Sequence, residues 1–146
     1  GDVKRLLTAQ SADFSAYRFW DGSAWVADLQ RAANNSTGVS PEFSVQPLPD
    51  GRFLLVHMTD LPGSTVAVRY GASPVGPWGA DIPVWDCPEI ALTPNVYVYG
   101  AKAHPHLSPA GELLISYHAN TFDFWENFAP GGADIYRPRF LRLPLP

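Results

Sequence analysis

Val-Tyr-Val-Tyr-Gly-Ala-Lys-Ala-His-Pro-His-Leu-Ser-Pro-Ala-Gly-Glu-Leu-Leu-Ile-Ser-Tyr-His-Ala-Asn, from Val96 to Asn120, is the stretch that decides the fold. Its flanks are rich in Val, Tyr, Ile and Leu, which suit a pleated, half-buried surface, and Pro109 with Gly111 marks a chain reversal. The stretch therefore predicts two adjacent strands joined by a turn. Glu42 to Met58 repeats the pattern 60 residues upstream, since superposing Gly51 on Gly111 also aligns Pro49 with Pro109 and Leu54 with Leu114.

Side chains alternate between the two faces of a strand. Glu42, Ser44 and Gln46 then share one face in the first copy, and Lys102, His104 and His106 share the matching face in the second. The opposite faces are apolar, with Phe43, Val45 and Pro47 against Ala101, Ala103 and Pro105. Two equivalent strands turning polar faces toward one space suit a β-propeller, where the innermost strand of each blade lines a wet axial channel. The expected architecture is all-β, a partial β-propeller of about two and a half four-stranded blades. On this reading Glu42 and His104 occupy corresponding rungs of neighbouring sheets.

Composition bounds the function. At 146 residues with 46% hydrophobic and 16% charged side chains, the chain is expected to fold as one domain around a core. A net charge of -4 gives no electrostatic footprint for nucleic acid and no basic patch for a membrane surface. No apolar run approaches the roughly 20 residues that span a bilayer. Cys87 is the single cysteine, so it reads as a buried thiol rather than half of an internal disulfide. Fifteen prolines and twelve glycines favour short strands over long helices.

In chain order, Val3 to Leu7 is a short candidate strand, and Phe14 to Val26 a hairpin around Asp21-Gly22. Ala27 to Ala33 reads as a helical turn. Strands follow at Glu42–Pro47, Phe53–Met58, Thr65–Tyr70 and Ile82–Trp85, then from Val96, at Glu112–His118 and within Asp134–Leu143. Residues 1-30 end one blade, 31-90 form a second and 91-146 a third. Propellers close with four to eight blades, and a two-and-a-half-blade piece would leave an unpaired edge. The remaining blades are expected from another chain or segment.

Tyr17 to Trp25 (Tyr-Arg-Phe-Trp-Asp-Gly-Ser-Ala-Trp), Ser73 to Trp78 (Ser-Pro-Val-Gly-Pro-Trp), Tyr99 to Ser108 and Asp134 to Phe140 (Asp-Ile-Tyr-Arg-Pro-Arg-Phe) together carry a family resemblance. Over nearly its whole length the chain resembles the C-terminal half of bacterial five-bladed propellers of the arabinanase and arabinofuranosidase glycoside hydrolase superfamily. The proteins it resembles include the secreted actinobacterial branch in which endo-D-arabinanases have been recognised. The resemblance implies hydrolysis of a furanose-rich polysaccharide of the arabinan or arabinogalactan type, outside the cell or in the cell envelope. It implies carboxylates carried by different blades, one protonating the leaving oxygen and another acting as base or nucleophile. Glu42, which opens an inner strand ahead of Asp50-Gly51, is the residue that matches the acid; the partner carboxylate falls to the other blades.

The candidate substrate-binding residues are His104, His106, Lys102, Trp125 and Arg137. His104 precedes a proline and could bind sugar hydroxyls or steady a carboxylate, while a structural histidine is the bland alternative. His-x-His alone is no zinc site, so no metal ligand is assigned and no cofactor is required, although a calcium ion on the axis is compatible. Lys102 pairs with a channel carboxylate or is a solvated charge. Trp125 lies in a long aromatic loop, where exposed rings mark binding. Arg137 and Arg139 read as a carboxylate clamp or as an internal ion pair. A non-catalytic carbohydrate-binding propeller and an assembly module are the alternative functions.

Overall fold

The computed structural model describes residues 13–59 and 64–145. The strand expected at Val3 to Leu7 lies outside them. The chain divides into two compact units, Gly1–Asn35 and Ser36–Pro146.

In the first unit, β1 (Phe19–Trp20) pairs antiparallel with β2 (Trp25–Val26), as the Asp-Gly signal predicts. Asp21 Oδ1 accepts the backbone N–H groups of Ser23 (3.0 Å) and Ala24 (2.8 Å), and Gly22 takes the left-handed φ of 100° that the turn needs. Those hydrogen bonds, that of Ala24 foremost, lower the Asp21 carboxyl to about 2. The expected helical turn is a short 3-10 segment at Leu29–Arg31, capped by Asp28.

The second unit holds two antiparallel meanders. The first sheet runs β3 (Ser44–Pro47), β4 (Phe53–Thr59), β5 (Thr65–Gly71), β6 (Ile82–Asp86), and the second β7 (Val96–Ala103), β8 (Glu112–Thr121), β9 (Pro138–Pro144). Period-two alternation sends Leu54, Val56 and Met58 with Val66 and Val68 to one face of the first sheet. They pack in one core with Val98, Leu113, Ile115, Tyr117 and Ala119 of the second sheet. The opposite face of the first sheet is also closed, with Leu55 at 3% exposure and His57 and Ala67 at 0%. The opposite face of the second sheet is not: Leu114 is half-buried, and Phe140 is 61% exposed. Leu54→Ala removes a fully buried side chain, and we expect it to destabilise the unit by about 2–5 kcal/mol, read as a lower denaturant midpoint.

Two sequence expectations are corrected. The run Lys102, His104, His106 does not form one strand face, because β7 ends at Ala103 and Pro105–Leu107 is a 3-10 turn. Pro105 has no N–H with which to extend the ladder, and His106 is left exposed off the strand. The strand expected from Asp134 begins at Pro138, after a one-turn helix α1 (Gly132–Ile135) that buries Ile135 in the core. That helix follows Gly131, whose φ of 91° redirects the chain.

Candidate functional site

The open face of the second sheet carries a cluster built around an irregularity in β7. Tyr99 stands opposite His118 and Lys102 opposite Ser116, so Gly100 and Ala101 together face the single residue Tyr117 and β7 accommodates one extra residue. This bulge keeps Tyr99 and Lys102 on the same face. Gly100 has φ +71°, and a Cβ placed there would come within 2.8 Å of Glu42 Oε2 and 3.3 Å of His118 Cδ2. The missing side chain is therefore the space in which the Glu42 carboxylate lies, over the β7 backbone and beside the His118 ring.

The approach of Glu42 is fixed by its neighbours in sequence. Ser40 Oγ–H donates to the Glu42 carbonyl (2.8 Å), and two residues on, the Ala103 N–H donates to Ser44 Oγ (2.8 Å). β3 is thus tied to the free edge of β7, and Glu42 reaches across that edge while its own residue stays exposed. On the same face His104 Nε2 lies 2.7 Å from Ser116 Oγ. Ser116 and His118 are alternate residues of β8 and point the same way. Glu42, beside His118, and His104, on Ser116, therefore lie along one face of β8, each just outside its own strand, and not as equivalent rungs of two sheets.

Aromatic rings extend the cluster. The Tyr99 and His118 ring centroids are 5.6 Å apart, Tyr97 is 5.6 Å from Tyr99, and Phe122 stacks on Tyr97 at 4.5 Å and 26°. Burial first, then the neighbouring Tyr136, Tyr97 and Glu42, push the Tyr99 hydroxyl pKa up. Of the residues expected at a site, the structure gathers Glu42, Lys102 and His104. Trp125 is 74% exposed on the loop after β8, within a 3-10 segment, Phe124–Phe128. Arg137 precedes β9, lies 3.5 Å from Asp134, and lines an open cleft of about 300 Å³ with Pro88, Glu89, Leu92, Asp134 and Arg139. His118, Tyr99 and Gly100 are the members that sequence reasoning did not single out as site residues. Their signal was present, a glycine flanked by Tyr-Val-Tyr and Ala-Lys, but the bulge it encodes depends on pairing with β8.

Two ionic networks lie elsewhere in the unit. On the closed face of the first sheet, Asp81 accepts from Arg69 Nε (2.6 Å) and Nη2 (2.9 Å) and lies 2.8 Å from His57 Nε2; His57 Nδ1 lies 2.8 Å from the Met58 carbonyl. Under the second sheet, Glu89 accepts from Arg139 Nε (2.7 Å) and from the Tyr117 hydroxyl (3.0 Å), which in turn accepts from Trp85 Nε1 (3.0 Å). Cys87, buried nearby, has its thiol pushed up to about 12 chiefly by burial, which makes it an unreactive core residue. Among the described residues, no group of three or more His, Cys, Asp and Glu is placed to hold a metal ion.

These networks predict an acid limit to stability. The hydrogen bond from Arg69 lowers the Asp81 pKa; burial raises that of Glu89, but Arg139, the Glu89 backbone N–H and Tyr117 together outweigh it and leave it lowered. Groups with depressed folded values contribute stability above their ordinary values of 3.8 and 4.5, and lose it as pH falls through the folded values. The melting temperature should hold above about pH 5 and fall below it, and Glu89→Gln should flatten that fall.

Comparison with solved structures finds a likeness to a protein from Bacteroides ovatus ATCC 8483 that its name places, provisionally, among the hydrolases. Identity is 29%, the TM-score is 0.64, and the match covers 82% of this chain. It covers 32% of that protein, so this chain spans about a third of the neighbour's length. No curated protein matches. A family model matches residues 5–144, nearly the full length, and the chain belongs to that family, described as a domain of unknown function (DUF5005).

Proposed function

We propose that this chain is part of a carbohydrate-active hydrolase of propeller architecture, in which Glu42 is the proton donor to a glycosidic oxygen. The observation that carries the reading is the seat of the Glu42 carboxylate over Gly100, against His118, on a face that aromatic rings line. His104 and Lys102 on that face supply hydrogen-bond donors for sugar hydroxyls. The substrate class is a furanose-rich polysaccharide of the arabinan or arabinogalactan type, met outside the cell or in the cell envelope. The hydrolase name of the structural neighbour supports the reaction class.

The two meanders support the propeller. By the repeat, Leu114 corresponds to Leu54; Leu54 is buried against the second sheet, whereas Leu114 looks toward the open face. A further sheet packed on the Leu114 end of that face, clear of Glu42, would repeat the same contact, and a neighbour about two and a half times as long has the chain to provide it. Glycoside hydrolysis uses two carboxyl groups, and the cluster on this face contributes Glu42. The second comes from the remaining blades.

Glu42→Gln in the full-length protein tests the reading. General acid catalysis contributes about 10²- to 10⁴-fold, and we expect turnover of polysaccharide to fall by that factor with folding intact. Unchanged turnover removes Glu42 from the mechanism. Lost turnover of the wild type under all conditions, with glycan binding retained, favours the non-catalytic binding module.

A further inference from the structure

The loop after β8 has a feature that catalysis at Glu42 does not use. Phe122, Phe124, Trp125 and Phe128 are 71%, 62%, 74% and 70% exposed, although they lie within seven residues of one another. Large exposed rings in one place mark an interaction surface. The loop holds them there firmly. Glu126 accepts from Thr121 Oγ1 (2.6 Å), Asn95 Nδ2 (2.9 Å) and Thr93 Oγ1 (3.1 Å), which joins the loop to the start of β7 and the end of β8. Asp123 caps the 3-10 segment by accepting the Trp125 N–H (3.0 Å). Phe124, Trp125 and Phe128 brace one another at centroid distances of 5.1 to 6.1 Å.

The chemistry of the patch selects its occupant. Its large exposed apolar groups are all aromatic, with Tyr136 adding a fifth ring, and no exposed Leu, Ile, Val or Met accompanies them between residues 119 and 136. The same span holds Asp123, Glu126 and Asp134 and neither Lys nor Arg, and Arg137, just past it, lies 3.5 Å from Asp134, so the balance stays negative. An acidic aromatic surface repels nucleic acid and anionic lipid, and flat rings offer the C–H faces of sugars a stacking surface. The patch is also continuous with the candidate site: Phe122 stacks on Tyr97, Tyr97 adjoins Tyr99, and Tyr99 adjoins His118 beside Glu42.

We infer that the Phe122–Phe128 loop is a platform for a neutral polysaccharide chain, which it holds by ring stacking and leads along Tyr97 and Tyr99 toward Glu42. This deepens the carbohydrate-active reading and rests on it for the substrate class, but the platform itself requires binding and not turnover. It assigns this loop the job of retaining polymer, so short substrates are insensitive to it.

Native affinity electrophoresis of this chain in gels containing soluble arabinan, arabinogalactan or dextran tests the platform. We expect retardation of the wild type by at least one of these, and at least about a 10-fold weaker dissociation constant for Trp125→Ala/Phe128→Ala. Both side chains are exposed, so the double variant should melt with the wild type, and a melting curve checks this. Three results overturn the inference: no retardation of the folded wild type by any of the three, equal retardation of the double variant, or an oligomer that the double variant converts to monomer. The last would make the patch a protein contact. Lost binding in the double variant combined with full turnover by Glu42→Gln would refute the catalytic reading and leave the platform standing.

Discussion

Arg139→Leu is expected to lower the melting temperature by about 10 °C, through a loss of about 3–5 kcal/mol. The argument rests on where its partner sits. Glu89 has 10% of its side chain exposed and Arg139 14%, so each is largely withdrawn from water and depends on the other for its charge partner. Without the guanidinium, Glu89 keeps its own backbone N–H and the Tyr117 hydroxyl, and burial, already the largest influence on its carboxyl, loses the Arg139 charge that opposes it. Arg139 is itself incompletely satisfied, because its Nη1 is buried without a partner. The pair therefore costs much to break and little to replace. Glu89→Leu/Arg139→Leu should recover most of the loss, since Tyr117 still accepts from Trp85, and a double-mutant cycle on melting curves measures the coupling. A single variant that melts with the wild type would show that the pair is solvated.

Gly100→Ala is expected to reduce polysaccharide turnover by the same 10²- to 10⁴-fold as Glu42→Gln, and in addition to destabilise the unit by about 1–2 kcal/mol. The two effects have separate causes. A φ of +71° is left-handed, where a Cβ crowds its own carbonyl. The new methyl group would also stand 2.8 Å from Glu42 Oε2, too close for both to remain. Since the carboxylate ends a flexible side chain, it is the group that moves. Glu42→Gln changes the chemistry without moving the group; Gly100→Ala moves the group without changing its chemistry. Equal kinetic losses with a stability loss in only the second variant would place the function in the position of the carboxylate.

The parts of the fold that were legible in the sequence are those set by local signals. Apolar alternation bounded by turn residues located β4, β5, β6 and β8 to within a few residues, and Asp21-Gly22 located the first hairpin. What failed was face assignment after an irregularity. Counting by twos from Lys102 assumes an unbroken strand, but the bulge at Gly100 and the stop at Pro105 sit on either side of it. The partners of the ionic networks were invisible for a different reason. Glu89 and Arg139 are 50 residues apart, and Arg69 and Asp81 are joined across sheet pairing that no local pattern encodes. Arg139 was legible as half of an internal pair, while Arg137 was not, because the strand that would have put both on one face begins between them. Glu42 was singled out as the residue that opens a strand, by the family resemblance, and β3 begins two residues later at Ser44; the glycine and histidine that receive it come from the other sheet.

The most direct test is a crystal structure of the full-length protein, as Glu42→Gln, with an oligosaccharide of the polymer it turns over. The account predicts residue 42 within about 2.6–3.2 Å of the glycosidic oxygen. It also predicts a second carboxylate from another blade at either about 5–5.5 Å or about 6.5–9.5 Å from it, the spacings of retention and inversion. A saccharide bound away from the Gly100 bulge, or a further sheet packed over residue 42 so that no sugar reaches it, would contradict the account.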